Sequence, residues 1–178
     1  KAASADLANY DEYLKALLPQ IPVSVNSCLP ESIHIGDSQC LAFTNQKITI
    51  NTIDSIIKPS LVKGAKAWHL GNGQSNSFKT CFQNTAKVGL GNYKFIFLSF
   101  GEIDCLPDEG ILEYCSKYGM PIEKVSQSTA KQYIRWIAKE LSAYRKKLVV
   151  FGTPAPTKEA NTGGVAIEAK TSKRLLLR

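Results

Sequence analysis

The sequence predicts an α/β fold of three layers, an open parallel sheet with helices on both faces, and two observations carry that prediction. Short apolar runs at 32–36, 65–70 and 93–100 alternate with helix-length segments, the pattern of parallel strands joined by crossover helices. Each run also stops at a polar, glycine-containing motif: Gly36-Asp37-Ser38, Gly71-Asn72-Gly73 and Gly101-Glu102-Ile103-Asp104. Parallel strands would bring all three motifs to one edge of the sheet, where open α/β sheets bind ligands.

The elements follow in order. Residues 5–18 place Leu7, Tyr10, Leu14, Leu17 and Leu18 at helical spacing and stop at Pro19, which predicts a lead-in helix over 1–19 packed on the sheet. Residues 32–36 read as the first buried strand, and 47–53, rich in Ile and Thr, as a peripheral strand or hairpin arm. The second core strand is expected at 65–70 and a weakly patterned crossover helix at 76–88. Residues 93–100 are apolar on both faces, as a central parallel strand should be. A short helix is expected around 108–117. Over 126–145, Ala130, Tyr133, Ile134, Ile137, Ala138, Leu141 and Tyr144 form one stripe, with Lys131, Arg135, Lys139, Glu140 and Arg145 off it, so a helix there delivers the chain into a strand at 148–152. Right-handed crossovers would join these strands into a single domain over 1–157. Beyond Pro156 the texture changes, and 158–178 reads as a basic tail or an incomplete last element.

Composition narrows the function classes. A chain of 178 residues, 44% apolar, can bury one real core. Its formal charge of +7 is spread: five basic and two acidic residues from position 158 on leave +3 there and +4 over 1–157. So dilute an excess predicts a solvated surface and no nucleic-acid partner. No apolar run is long enough to span a bilayer, so no membrane partner is expected either. The five cysteines include no Cys-x-x-Cys pair, which argues against zinc and a disulfide framework and for small buried thiols in a reducing, cytoplasmic setting. Nothing in the pattern sets an oligomeric state.

Gly36-Asp37-Ser38 after a buried strand, a glycine after the second strand and Gly101-x-x-Asp104 after the third resemble the first three sequence blocks of the SGNH, or GDSL-type, esterases and acyl hydrolases. The form Ser99-Phe100-Gly101-Glu102-Ile103-Asp104-Cys105, with Gly64-Ala65-Lys66-Ala67-Trp68-His69-Leu70 upstream, is similar to a bacterial SGNH-like subgroup. The resemblance covers about residues 30–156 and implies a flavodoxin-like sheet, no cofactor, and a substrate that is a small acyl ester or a glycan carrying one. It implies Ser38 as nucleophile and the backbone amides of Ser38 and Gly71 as oxyanion donors.

The chain departs from that family in two places. Ile103 stands where the family's oxyanion asparagine should be, leaving Asn72 or Asn76 as substitutes; losing such a donor costs about 10² to 10³ in rate. The family's Asp-x-x-His near the carboxyl end has no counterpart, because the sequence holds only His34 and His69, and the resemblance therefore implies a sheet that lacks the family's last strand and its histidine. His34, inside the first strand, reads as a core histidine, and His69, two residues before Gly71, as the candidate base.

Asp104, two residues after Glu102, is expected either to support catalysis or to brace the Gly36-Asp37-Ser38 turn, with Asp37 steadying its own turn and Gly101 and Glu102 lining the crevice. The two carboxylates alone supply too few oxygen ligands for a metal, so none is expected. Three readings follow: a serine ester hydrolase or acyltransferase; a non-catalytic module of the same fold binding a glycan or protein partner; and a flavodoxin-like nucleotide binder, for which no phosphate loop is visible.

Overall fold

The computed structural model describes residues 28–106 and 108–152; the expected lead-in helix and basic tail lie outside them. The chain forms a mixed α/β domain around a five-stranded sheet in the order β2-β3-β1-β4-β5. The strands are β1 (Glu31–Gly36), β2 (Lys47–Ile50), β3 (Ile53–Leu61), β4 (Phe95–Ser99) and β5 (Lys147–Val150). Strand β1 pairs in parallel with β3 on one side and β4 on the other, β5 extends the parallel set, and β2 runs antiparallel to β3. Helices α1 (Ala67–Gly71) and α2 (Ser77–Lys87) link β3 to β4; α3 (Gly110–Tyr118) and α4 (Ile122–Leu141) link β4 to β5.

The expected second strand is corrected. Residues 65–70 do not form a strand: Ala67–Gly71 is a helix, and the strand beside β1 is Ile53–Leu61. A six-residue apolar run has no periodicity that separates strand from buried helix, and Lys58-Pro59 interrupts the apolar pattern of the real strand. Pro59 is tolerated because β2 pairs only with the first part of β3, leaving that edge open where the N–H is missing. The β2–β3 hairpin turns at Asn51 and Thr52, both at positive φ (47° and 66°), which suits the right-handed twist of the flanking strands.

The two faces of the sheet differ. On one, Ile33 and Ile35 of β1 and Ile96 and Leu98 of β4 pack against Leu70 of α1, Phe82 and Ala86 of α2, and Tyr133, Ile137 and Leu141 of α4. The apolar cluster of the other face, built on Ile57, Phe95 and Phe97 with Val149 and Phe151, draws on no helix among the described residues. The same face carries buried polar pairs, Ser32 Oγ with Ser55 Oγ at 2.5 Å and His34 Nε2 with Ser99 Oγ at 2.9 Å.

Helix α4 starts at Ile122, earlier than expected, and buries Val125, Thr129, Tyr133, Ile137 and Leu141. This i, i+4 row is narrower than the predicted stripe: Ala130, Ile134 and Ala138 face outward. The thiols also divide. Cys40 and Cys115 are buried, whereas Cys28, Cys81 and Cys105 are exposed, contrary to the expectation of small buried cysteines.

Candidate functional site at the carboxyl ends of β1 and β4

From β1 the chain proceeds to β3 on one side, while β4 lies on the other, so the two central strands diverge in their connections at Gly36 and Ser99. That is the topological switch point of the sheet. Gly36 is registered against Ser99, and an added Cβ would stand 2.2 Å from Ser99 Oγ and 2.6 Å from the Ser99 carbonyl oxygen. Only glycine lets the strands approach this closely. The Asp37 amide then donates to Ser99 O (3.1 Å), stitching the two strand ends together.

Asp37 caps the 3₁₀ turn Ser38–Phe43 by accepting from the Gln39 amide at 3.0 Å, which matches its expected role of steadying the turn. Its carboxyl is 1% exposed and Oδ2 has no partner. Burial pushes its pKa up to about 6, the Gln39 amide opposes, and the charges of Glu102 and Asp104 add to the rise. Tyr133 of α4 turns its hydroxyl to the same region. That oxygen is buried without a partner, and burial raises its pKa, with the charges of Asp37 and Asp104 adding. Ser38 opens the turn, exposed, with no hydrogen bond to its hydroxyl and no carbonyl partner for its amide among the described residues.

The turn after β4 behaves differently. Gly101 is buried and Glu102 half-buried, and the chain then winds into a 3₁₀ turn over Ile103–Cys105. The extended geometry that would put Glu102 and Asp104 on one face is therefore lost. Asp104, 2% exposed, points inward: Oδ2 accepts from the Ala67 amide at 2.6 Å and Oδ1 from the Trp68 amide at 3.2 Å. Both oxygens cap α1, and neither braces the Gly36-Asp37-Ser38 turn. Burial raises the Asp104 pKa, while the Trp68 and Ala67 amides and the Lys66 charge pull it back.

The remaining predicted residues cluster around α1 and serve its structure. His69 Nδ1 accepts from the Lys66 amide at 3.2 Å, and its ring stacks on Phe78 at 4.2 Å between centroids. Burial lowers its pKa, the Lys66 charge adds and Glu109 opposes; because Nδ1 accepts from the Lys66 amide, the ring carries its proton on Nε2. The lone pair that a base needs is thus committed to the backbone, and no hydrogen bond joins His69 to Ser38 among the described residues. Gly71 ends α1 instead of following a strand. An added Cβ there would lie 2.9 Å from the Tyr133 backbone nitrogen, so close packing of α1 on α4 accounts for the glycine. Asn76 uses both ends of its amide: Oδ1 caps α2 by accepting from the Lys79 amide (3.0 Å), and Nδ2 donates to His69 O (2.8 Å). Asn72 Oδ1 accepts from the Gln74 amide at 3.1 Å.

Sequence reasoning passed over three residues that shape this region. Lys79, 7% exposed, donates to Asn72 O and to Gln74 O (2.9 Å) and lies 5.5 Å from the Trp136 ring centre, pinning the loop after α1. Burial lowers its pKa and the Glu140 charge opposes. Nothing in a weakly amphipathic helix marked this lysine. Tyr133 was visible only as part of an apolar stripe, and Ser99 only as the end of a strand. His34 is buried as expected, among the rings of Phe43, Phe97 and Phe151, but it is only half satisfied: Nε2 bonds Ser99 Oγ, Nδ1 has no partner among the described residues, and burial lowers its pKa to about 4.

A groove of about 780 Å³ runs along α2, lined by Ser60, Asn84, Asn92 and Tyr93, but Ser38 is not part of its wall. No helix among the described residues is long and apolar enough to cross a membrane. No family model matches the chain, and no curated protein and no solved structure gives a significant match.

Proposed function

We propose that this domain is an SGNH-like serine ester hydrolase or acyltransferase acting on a small acyl ester, such as an O-acetyl group on a carbohydrate, with Ser38 as nucleophile. The observation that carries this reading is the position of Ser38: exposed, at the carboxyl end of a central strand, beside the switch point, with no carbonyl partner for its amide among the described residues. Counted among themselves the four parallel strands have the order 2-1-3-4, the beginning of the flavodoxin-like doubly wound order whose ligands bind at this point. In the reaction Ser38 Oγ bonds to the ester carbonyl carbon, its proton passes to a base, and the resulting oxyanion takes a hydrogen bond from the Ser38 amide. Collapse breaks the bond to the alcohol, which leaves carrying the proton taken from Ser38, and water or an acceptor hydroxyl then resolves the acyl-serine that remains.

A second reading is favoured by the commitments of His69 and Asp104. With one lone pair spent on the Lys66 amide and both carboxylate oxygens spent on α1, neither group is poised to take the serine proton. The alternative is a non-catalytic module of the same fold that binds a glycan or a protein partner. Fluorophosphonate labelling, with the adduct located by peptide mass mapping, separates the two. A Ser38 adduct absent from Ser38→Ala supports the hydrolase, and an unlabelled folded protein supports the binding module.

A further inference from the structure

A pocket of about 260 Å³ opens beside α1, between α3 and α4, and has walls of two kinds. One wall is aromatic and apolar: Trp68, Tyr114 and Met120, with the Trp68 and Tyr114 rings 4.9 Å apart and tilted by 43°. A third ring, Tyr118, continues the row at 4.7 Å from Tyr114 and is 57% exposed. The other wall is α4, where Val125 and Thr129 are buried and Lys124, Ser128 and Gln132 stand exposed. Gln132 Nε2 donates to Ser128 Oγ at 3.0 Å, which leaves Gln132 Oε1, its second amide hydrogen and the Ser128 hydrogen for a guest. Asp104 ties the pocket to the turn after β4: the carboxylate that caps α1 holds the Trp68 amide and so positions the aromatic wall.

We propose that this pocket is a sugar-binding subsite that seats one pyranose ring of a glycan. A pyranose has C–H faces that rest on aromatic rings and an edge of neutral hydroxyls that both donate and accept, which matches the two walls. An apolar side chain would leave Gln132 and Ser128 desolvated without partners, a cost the sugar avoids. A quaternary ammonium would find the rings, but the only charged residue in the wall is Lys124, which repels it. For its catalytic consequence the subsite rests on the Ser38 reading, with the glycan as the ester's carrier; as a binding site it stands alone.

Saturation-transfer difference NMR with xylotetraose, cellotetraose and chitotetraose tests this, using the full chain, Ser38→Ala, Tyr114→Ala and Gln132→Ala. The expected result is binding of at least one oligosaccharide, unchanged in Ser38→Ala and weakened about tenfold in both pocket variants. Gln132 is exposed on α4, so its variant keeps the test sound should Tyr114→Ala fail to fold. Absence of binding to all three, or binding that survives both substitutions, overturns the subsite. Tetramethylammonium binding lost in Tyr114→Ala, with no sugar bound, replaces it by a cation cage. Sugar binding without fluorophosphonate labelling leaves the subsite standing and removes the hydrolase; labelling without sugar binding does the reverse.

Discussion

The turn after β1 leaves its hydroxyl to solvent, whereas the turn after β4 spends its carboxylate on the interior. Both are glycine-containing motifs at the ends of neighbouring parallel strands, and in sequence both look equally available for chemistry. Their difference lies in what each must hold. Ser38 opens a turn already capped by Asp37, so its side chain has no structural task. Asp104 faces the five-residue helix α1, whose N-cap Lys66 makes no side-chain cap hydrogen bond, and it supplies that cap from 37 residues away. Polar residues at a strand end divide between presenting chemistry and closing backbone hydrogen bonds, and the neighbouring helix decides which.

Substitutions at four positions test that division, from the largest expected effect to the smallest. Asp104→Ala orphans the Ala67 and Trp68 amides in a buried setting and should cost about 4 kcal/mol in urea denaturation, with Asp104→Asn costing roughly half. A loss below about 1 kcal/mol would return Asp104 to the pool of uncommitted groups. Gly36→Ala drives a Cβ into Ser99 and should cost about 3 kcal/mol, forcing the two strand ends apart.

Asp37→Asn has an effect whose sign depends on pH. The unfolded chain releases the Asp37 proton near its ordinary value of 3.8, whereas the folded protein holds it to about 6, so this group withdraws stability as pH rises between the two. The variant should match wild type near pH 4 and exceed it by about 2 kcal/mol at pH 7. His34 acts in the opposite sense. It titrates at 6.5 when unfolded but at about 4 when folded, so it adds stability as pH rises through that window and flattens the wild-type profile. An Asp37→Asn difference that stays constant from pH 4 to 7 would show that the carboxyl is solvated. Ser38→Ala should change stability by less than about 0.5 kcal/mol while removing any fluorophosphonate adduct. A larger loss would mean that the hydroxyl has a structural partner after all.

The α/β class was legible because β1 and β4 are short, apolar and bounded by turn residues, and because α2 and α4 carry helical spacing. The misreadings have local physical causes. Strand β3 hides behind Lys58-Pro59, since its outer edge is unpaired there and a proline costs nothing. Helix α1 hides because its cap comes from Asp104 and because His69 Nδ1 accepts from the Lys66 amide, neither of which follows the usual Ser/Thr/Asp pattern. Of the candidate site, the position of Ser38 was readable from its motif. The commitments of His69, Asn76 and Asp104 were not, because each is set by a contact across the fold.

The pairing of β1 with β4 also has a kinetic consequence. The candidate site sits where Ile33 aligns with Ile96 and Gly36 with Ser99, so its two halves come from segments more than sixty residues apart. Loop closure of that length must precede any reward from the parallel pairing, and parallel pairing is intrinsically slow. The Ser38 turn can therefore adopt its final shape only after β4 has docked, and a chain stalled before that step exposes the unpaired edges of β1 and β4 to other molecules.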